Sequence, residues 1–115
     1  MKKNDVLYLR HILDAIRDIE QYLEGTSSLE EFSANGMLFN AVVRQLEVIG
    51  EASAHLSNAL CTQYATVPWA DIIGMRNRLI HEYFGVDVEI VWEVCQAELQ
   101  TLRHAIEEIL HDVQH

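Results

Sequence analysis

An all-α fold, an antiparallel bundle of four long helices with one additional short helix, follows from two features of this 115-residue chain. Apolar residues recur at intervals of three and four along most of its length, which is the period of one helix face. Helix breakers are scarce: 5 glycines and one proline, Pro68, suit long helices better than strands joined by tight turns.

The first helix is predicted from Val6, Leu9, Ile12, Leu13, Ile16, Ile19 and Leu23, with Asn4 as its N-cap and Gly25 as its stop. After a polar turn, Ser28-Leu29-Glu30-Glu31 reads as a capping box that opens a short helix holding Phe32. The second long helix is expected from about residues 35–37 to Cys61, with Leu38, Val42, Ile49, Ala52, Leu56 and Leu60 on one face. Gly50 sits in its middle, at a cost of roughly 1 kcal/mol relative to Ala. Either another helix approaches closely there, or the position is an indifferent surface one. The stretch 61–67 reads as a connection, and Pro68 suits the first turn of a third helix, where its missing N–H costs nothing. Trp69, Ile72, Ile73, Leu79 and Ile80 are that helix's apolar residues, and it should end around Tyr83 to Gly85. Asp87 is the expected N-cap of the last helix, whose stripe is Val91, Val94, Leu102, Ile106, Ile109 and Val113.

The length fits one domain, residues 1–115, with a core modest enough to need neither metal nor disulfide. The net charge of −10 argues against a protein that coats nucleic acid, because phosphate binding rests on Lys and Arg. Cys61 and Cys95 form no paired motif and read as small apolar residues in a reducing compartment. No secretory leader and no membrane span are read in the chain, so the expected location is the cytoplasm. His104, His111 and His115 share helical spacings but lack the three or four ligands of a zinc site, and no metal is expected. No cofactor is expected either, since the chain has no Gly-rich phosphate loop.

One residue breaks the apolar pattern. At ~100° per residue, Arg76 falls in the middle of the arc made by Trp69, Ile72, Leu79, Ile80 and Tyr83. A guanidinium there must pair with a carboxylate, snorkel to water, or face a polar cleft between helices or subunits. Asn77 and His81, at i and i+4, share a neighbouring face.

The stretch from Trp69 to Asp87, with Arg76, Asn77, His81 and Tyr83 in the pattern R-x4-H-x-Y, resembles the HEPN-domain proteins of the HepT type. The likeness extends to residues 39–52, which include Ile49-Gly50-Glu51-Ala52, and to Ile90-Val91-Trp92. That resemblance implies a HEPN-like helical homodimer and a toxin of a type VII-like toxin–antitoxin pair. It implies a metal-independent endoribonuclease that cuts RNA, such as tRNA or mRNA, at a cleft where the two motif helices meet. It also implies a partner, a minimal nucleotidyltransferase antitoxin, that silences the toxin by adding AMP to Tyr83. Arg76 and His81 are then catalytic, and Asn77 and Arg78 bind or orient the substrate.

The residue chemistry suits that activity. Attack of a 2′-hydroxyl on the adjacent phosphate needs a base near neutral pH, the range of histidine. It also needs a cation for the crowded phosphorane, and the planar donors of arginine match phosphate oxygens. The alternative reading is a non-catalytic HEPN-like subunit that partners a nucleotidyltransferase, a reading the negative charge favours.

Overall fold

The computed structural model describes residues 4–81 and 87–113, the side chains of Ile80 and His81 excepted, and the described residues are helical with no strand among them. The elements are α1 (Asp5–Tyr22), α2 (Leu29–Ser33), α3 (Gly36–Ala54), α4 (Asn58–Gln63), α5 (Trp69–His81), α6 (Val88–Glu93) and α7 (Leu99–Val113). A π turn, Val94–Glu98, joins α6 to α7.

α1 is the spine. Leu9, Ile12, Ile16 and Ile19 are wholly buried, as their spacing requires. Two pairs of contacts fix α1 antiparallel to α3: Asp5 meets Ser57 at one end, and Tyr22 reaches Gln45 at the other. Two ion pairs set α1 antiparallel to α7, Glu20 with Arg103 at 3.1 Å and Arg17 with Glu107 at 3.5 Å. Glu20 and Glu107 are therefore cross-helix partners. α5 lies chiefly against α3. It is separated from α6 and α7 by an open groove of about 1190 Å³, lined by Met75, Val94 and Leu102, with Leu46 and Ile49 also on its wall. The fourth side of the expected bundle is thus left open.

The caps are largely those the sequence announces. Ser28 Oγ accepts from the Glu31 N–H, while Glu31 returns its bond to the Ser27 N–H, one residue earlier than a standard capping box. Asn35 and Asp87 cap α3 and α6 with their side-chain oxygens. Asn4 stands at the N-cap position of α1, but its side chain makes no cap bond. Gly25 lies two residues past the cap residue Leu23 and takes φ +85°, the left-handed turn that favours glycine.

Two boundaries differ from expectation. The second long helix stops at Ala54, and α4 starts at Asn58. Ser57 causes the break: its Oγ accepts from the Leu60 N–H, and both its N–H and hydroxyl donate to the buried Asp5 carboxylate, at 2.9 and 2.6 Å. In the last helix, Val91 and Leu99 would differ by ~80° on an uninterrupted helix. The wider π turn takes up this difference and brings both onto the core side, 3 % exposed each. Val94, expected on the core stripe, is partly buried against the core and also lines the groove. The expected end of the third helix, around Tyr83 to Gly85, lies outside the described residues.

An aromatic cluster joins three elements. Phe32 of α2 is fully buried, with Phe39 of α3 at 5.8 Å and Trp92 of α6 at 5.3 Å between ring centroids. Offset packing of this kind adds about 0.5–1.5 kcal/mol per pair beyond area burial. It anchors α6 close to the far end of the motif segment.

Candidate functional site

The site is built on α5, and Trp69 sets where that helix begins. Its indole N–H donates to the Tyr64 carbonyl at 3.1 Å, and the ring is buried. Pro68 precedes it and accepts from the Ile72 N–H at 3.1 Å, so the helix opens without stranding a donor. Seven residues after Trp69, at ~100° each, the chain returns to within ~20° of the same face. Arg76 is therefore carried to the side of α5 that packs on α3.

Gly50 receives it there. A Cβ on Gly50 would collide with Arg76 Cβ, lie 2.8 Å from its Cγ and stand 3.2 Å from the Ile72 carbonyl oxygen. The two helices cross closely enough that only a glycine leaves room for the arginine stem. Of the two readings the sequence left open for Gly50, close approach is the one found. A glycine tolerated in mid-helix was the sequence signal for it; its target was not legible.

Arg76 is half-buried. Its Nε is buried and has no hydrogen-bond partner among the described residues. One terminal nitrogen, Nη1, donates to Asn77 Oδ1 at 2.9 Å. Adjacent helical side chains do not face each other, so the guanidinium must turn sideways, toward the exposed edge of α5 where Asn77 stands. Among the described residues no carboxylate pairs with Arg76. A structural ion pair, the plainest account of a charged residue on an apolar stripe, is thus not present among them. A buried unpaired donor costs about 1–3 kcal/mol. Such a donor is the kind of group that an anionic ligand would satisfy.

The remaining predicted residues divide. Asn77 is exposed and orients Arg76, a partner the sequence did not suggest for it. Arg78 is exposed and lines the groove between α5 and α7, so it is not gathered with Arg76 and Asn77. His81 is the last residue of α5. The backbone places it one turn, ~6 Å, beyond Asn77; its side chain and the whole of Tyr83 lie outside the described residues.

Other reactive groups do not join this cluster. Burial pushes the Cys95 thiol up to about 12, and burial followed by the Asp5 charge raises Cys61, so neither is a nucleophile at neutral pH. Among the described residues no three His, Cys, Asp or Glu side chains are grouped to hold a metal ion. No described helix is long and apolar enough to cross a membrane.

Comparison with known proteins bears on this arrangement. The model of the family described as "Ribonuclease HepT-like" matches residues 12–109. The chain is 42 % identical over 103 residues to "Putative RNase TTE0752" of Caldanaerobacter subterraneus, covering 90 % of this chain and 91 % of that one. It is 35 % identical over 109 residues to "Probable ribonuclease HepT" of Thermococcus cleftensis, covering 95 % and 98 %. No solved structure matches significantly. A family match over most of the domain, with relatives that align end to end, shows that the chain belongs to the HepT-like ribonuclease family.

Proposed function

We propose that the protein is a metal-independent endoribonuclease and the toxin of a toxin–antitoxin pair, working in the cytoplasm as a homodimer. The observation that carries the reading is Arg76: a guanidinium held at a helix crossing, oriented by Asn77, with a buried Nε that lacks an acceptor among the described residues. A phosphate oxygen is the acceptor this donor set suits best. Family membership and the names of the relatives support ribonuclease chemistry over other phosphate chemistry.

In the proposed reaction His81 takes the proton from a ribose 2′-hydroxyl, and the 2′-oxygen attacks the adjacent phosphorus. Arg76 stabilises the charge gathered on the non-bridging oxygens. The bond from phosphorus to the 5′-oxygen breaks, and that oxygen leaves with a proton supplied by the partner subunit's His81. The products are a 2′,3′-cyclic phosphate and a free 5′-hydroxyl. Two copies supply the base and the acid. An assembly larger than one chain is also supported by the apolar groove beside α5 and by Ile90, 48 % exposed, which a lone chain leaves facing water.

Control is proposed to act at Tyr83, where a nucleotidyltransferase partner attaches AMP by joining its α-phosphorus to the phenol oxygen and releasing pyrophosphate from ATP. The added phosphate would lie seven residues along the chain from Arg76 and would compete with RNA for the guanidinium.

Expression in a bacterial host tests this reading. Growth arrest that His81→Ala relieves is expected, together with an added AMP mass on the Tyr83 peptide after co-expression with the partner. Arrest that survives His81→Ala would remove His81 from the chemistry. Absence of arrest would favour the non-catalytic subunit, a reading that the net charge of −10 also favours.

A further inference from the structure

We propose that Gly50 is a positioning residue for Arg76, setting the direction of its guanidinium from the neighbouring helix; this rests on the ribonuclease reading above. The collision of an added methyl group with Arg76 Cβ and its 2.8 Å approach to Cγ concern the first two carbons of the side chain. Those carbons decide where the rest of the arginine can go, because each χ angle has only a few staggered choices. With α3 lying flush against the stem, the choices that point toward α3 are closed. The chain must leave along the helix surface, and it leaves toward Asn77, where Nη1 is held at 2.9 Å. Gly50 also brings the Ile72 carbonyl, one turn before Arg76, within 3.2 Å of the same point, so the backbone of the motif helix and its key side chain share one support.

Gly74 is the internal control. It lies two residues before Arg76 on α5, and a Cβ there would meet nothing within 4 Å among the described residues. Two mid-helix glycines therefore have opposite roles. One is empty space, and the other is occupied by the arginine.

The consequence is specific. A methyl group at position 50 would displace the guanidinium by roughly an ångström, and misplacement on that scale lowers turnover by about 100-fold. The loss should fall on kcat more than on KM, because Arg76 acts on charge that develops in the transition state.

The test compares RNA cleavage by the full-length protein with that of Gly50→Ala, Gly74→Ala, Arg76→Gly and Gly50→Ala/Arg76→Gly. Alongside it, the Arg76 Nε–H signal is followed by nitrogen-15 NMR. The expected result is a large kcat loss in Gly50→Ala and none in Gly74→Ala. The double variant should be no slower than Arg76→Gly alone, because glycine at position 76 removes the carbon that the added methyl group meets, and the Nε signal should move in Gly50→Ala while staying in place in Gly74→Ala. A double variant slower than Arg76→Gly by the full Gly50→Ala factor, or an unmoved Nε signal, would overturn the proposal. Should Gly50→Ala not fold, Gly50→Ala/Arg76→Gly is expected to be at least as stable as Arg76→Gly, since it exchanges the two colliding carbons; a lower stability than Arg76→Gly would equally overturn it. A wild type that cleaves no RNA would count against the ribonuclease reading, while the Nε signal still decides the positioning claim.

Discussion

Gly50 of α3 and Arg76 of α5 share one point of contact, with the arginine stem occupying the space a side chain at position 50 would need. The contact explains how a charged residue sits on an apolar face. The stem packs on bare backbone, while the head turns to Asn77 and leaves Nε without a partner among the described residues. It also separates function from stability at this position. Arg76→Met keeps the packing of the stem and removes the unpaired donor. We expect a melting temperature equal to or above that of the wild type, by calorimetry, with RNA cleavage reduced by about 100- to 1,000-fold. Arg76→Lys should recover little of that activity, since an ammonium lacks the planar donor pair.

Asn77 holds one terminal nitrogen of Arg76 through a neutral oxygen. Asn77→Asp would replace that bond with an ion pair and supply the carboxylate that the guanidinium lacks. RNA binding should weaken by about tenfold. It should also become less sensitive to salt, because one cation fewer is available to phosphate. Titration at several salt concentrations reads both effects, and unchanged affinity would count against a phosphate role for Arg76.

The other glycines should respond according to their surroundings. Gly74→Ala fills open space inside a helix and should raise stability by about 0.5–1 kcal/mol. Gly25→Ala meets no neighbour, but φ is +85°, so it should lower stability by about 1 kcal/mol. Chemical denaturation of the two variants side by side would show shifts of opposite sign.

Asp5 and Ser57 tie the start of α1 to the break between α3 and α4 by two bonds in a buried setting. Removing the carboxylate leaves two Ser57 donors unmet. Asp5→Ala is expected to lower stability by about 2–3 kcal/mol, and Ser57→Ala by about 1–2 kcal/mol. The pair should be less than additive when combined, because both substitutions remove the bond from the Ser57 hydroxyl to the Asp5 carboxylate. Cleavage by the folded variants should be unaffected.

How much of this was legible beforehand follows from which interactions are local. The α1 stripe from Leu9 to Ile19, the Ser28 and Asp87 caps and the opening of α5 at Pro68 are set within a few residues, and all were readable from spacing and residue type. The break at Ser57 was not, because its cause is Asp5, at the far end of another helix. The π turn was equally hidden: it corrects a phase mismatch between Val91 and Leu99 that appears only once both must face one core. At the site, periodicity exposed Arg76 as the anomaly and spacing tied it to Trp69. Which way its head turns depends on Gly50 across a helix crossing, and no pattern within α5 encodes that.

The most direct test of the central claim is cleavage of tRNA and total RNA by purified protein, treated with chelator and shown by mass to carry an unmodified Tyr83, beside Arg76→Ala and His81→Ala. The account predicts cleavage by the wild type alone, leaving 2′,3′-cyclic phosphate and 5′-hydroxyl ends. Intact RNA after incubation with the unmodified wild type, or equal cleavage by His81→Ala, would contradict it.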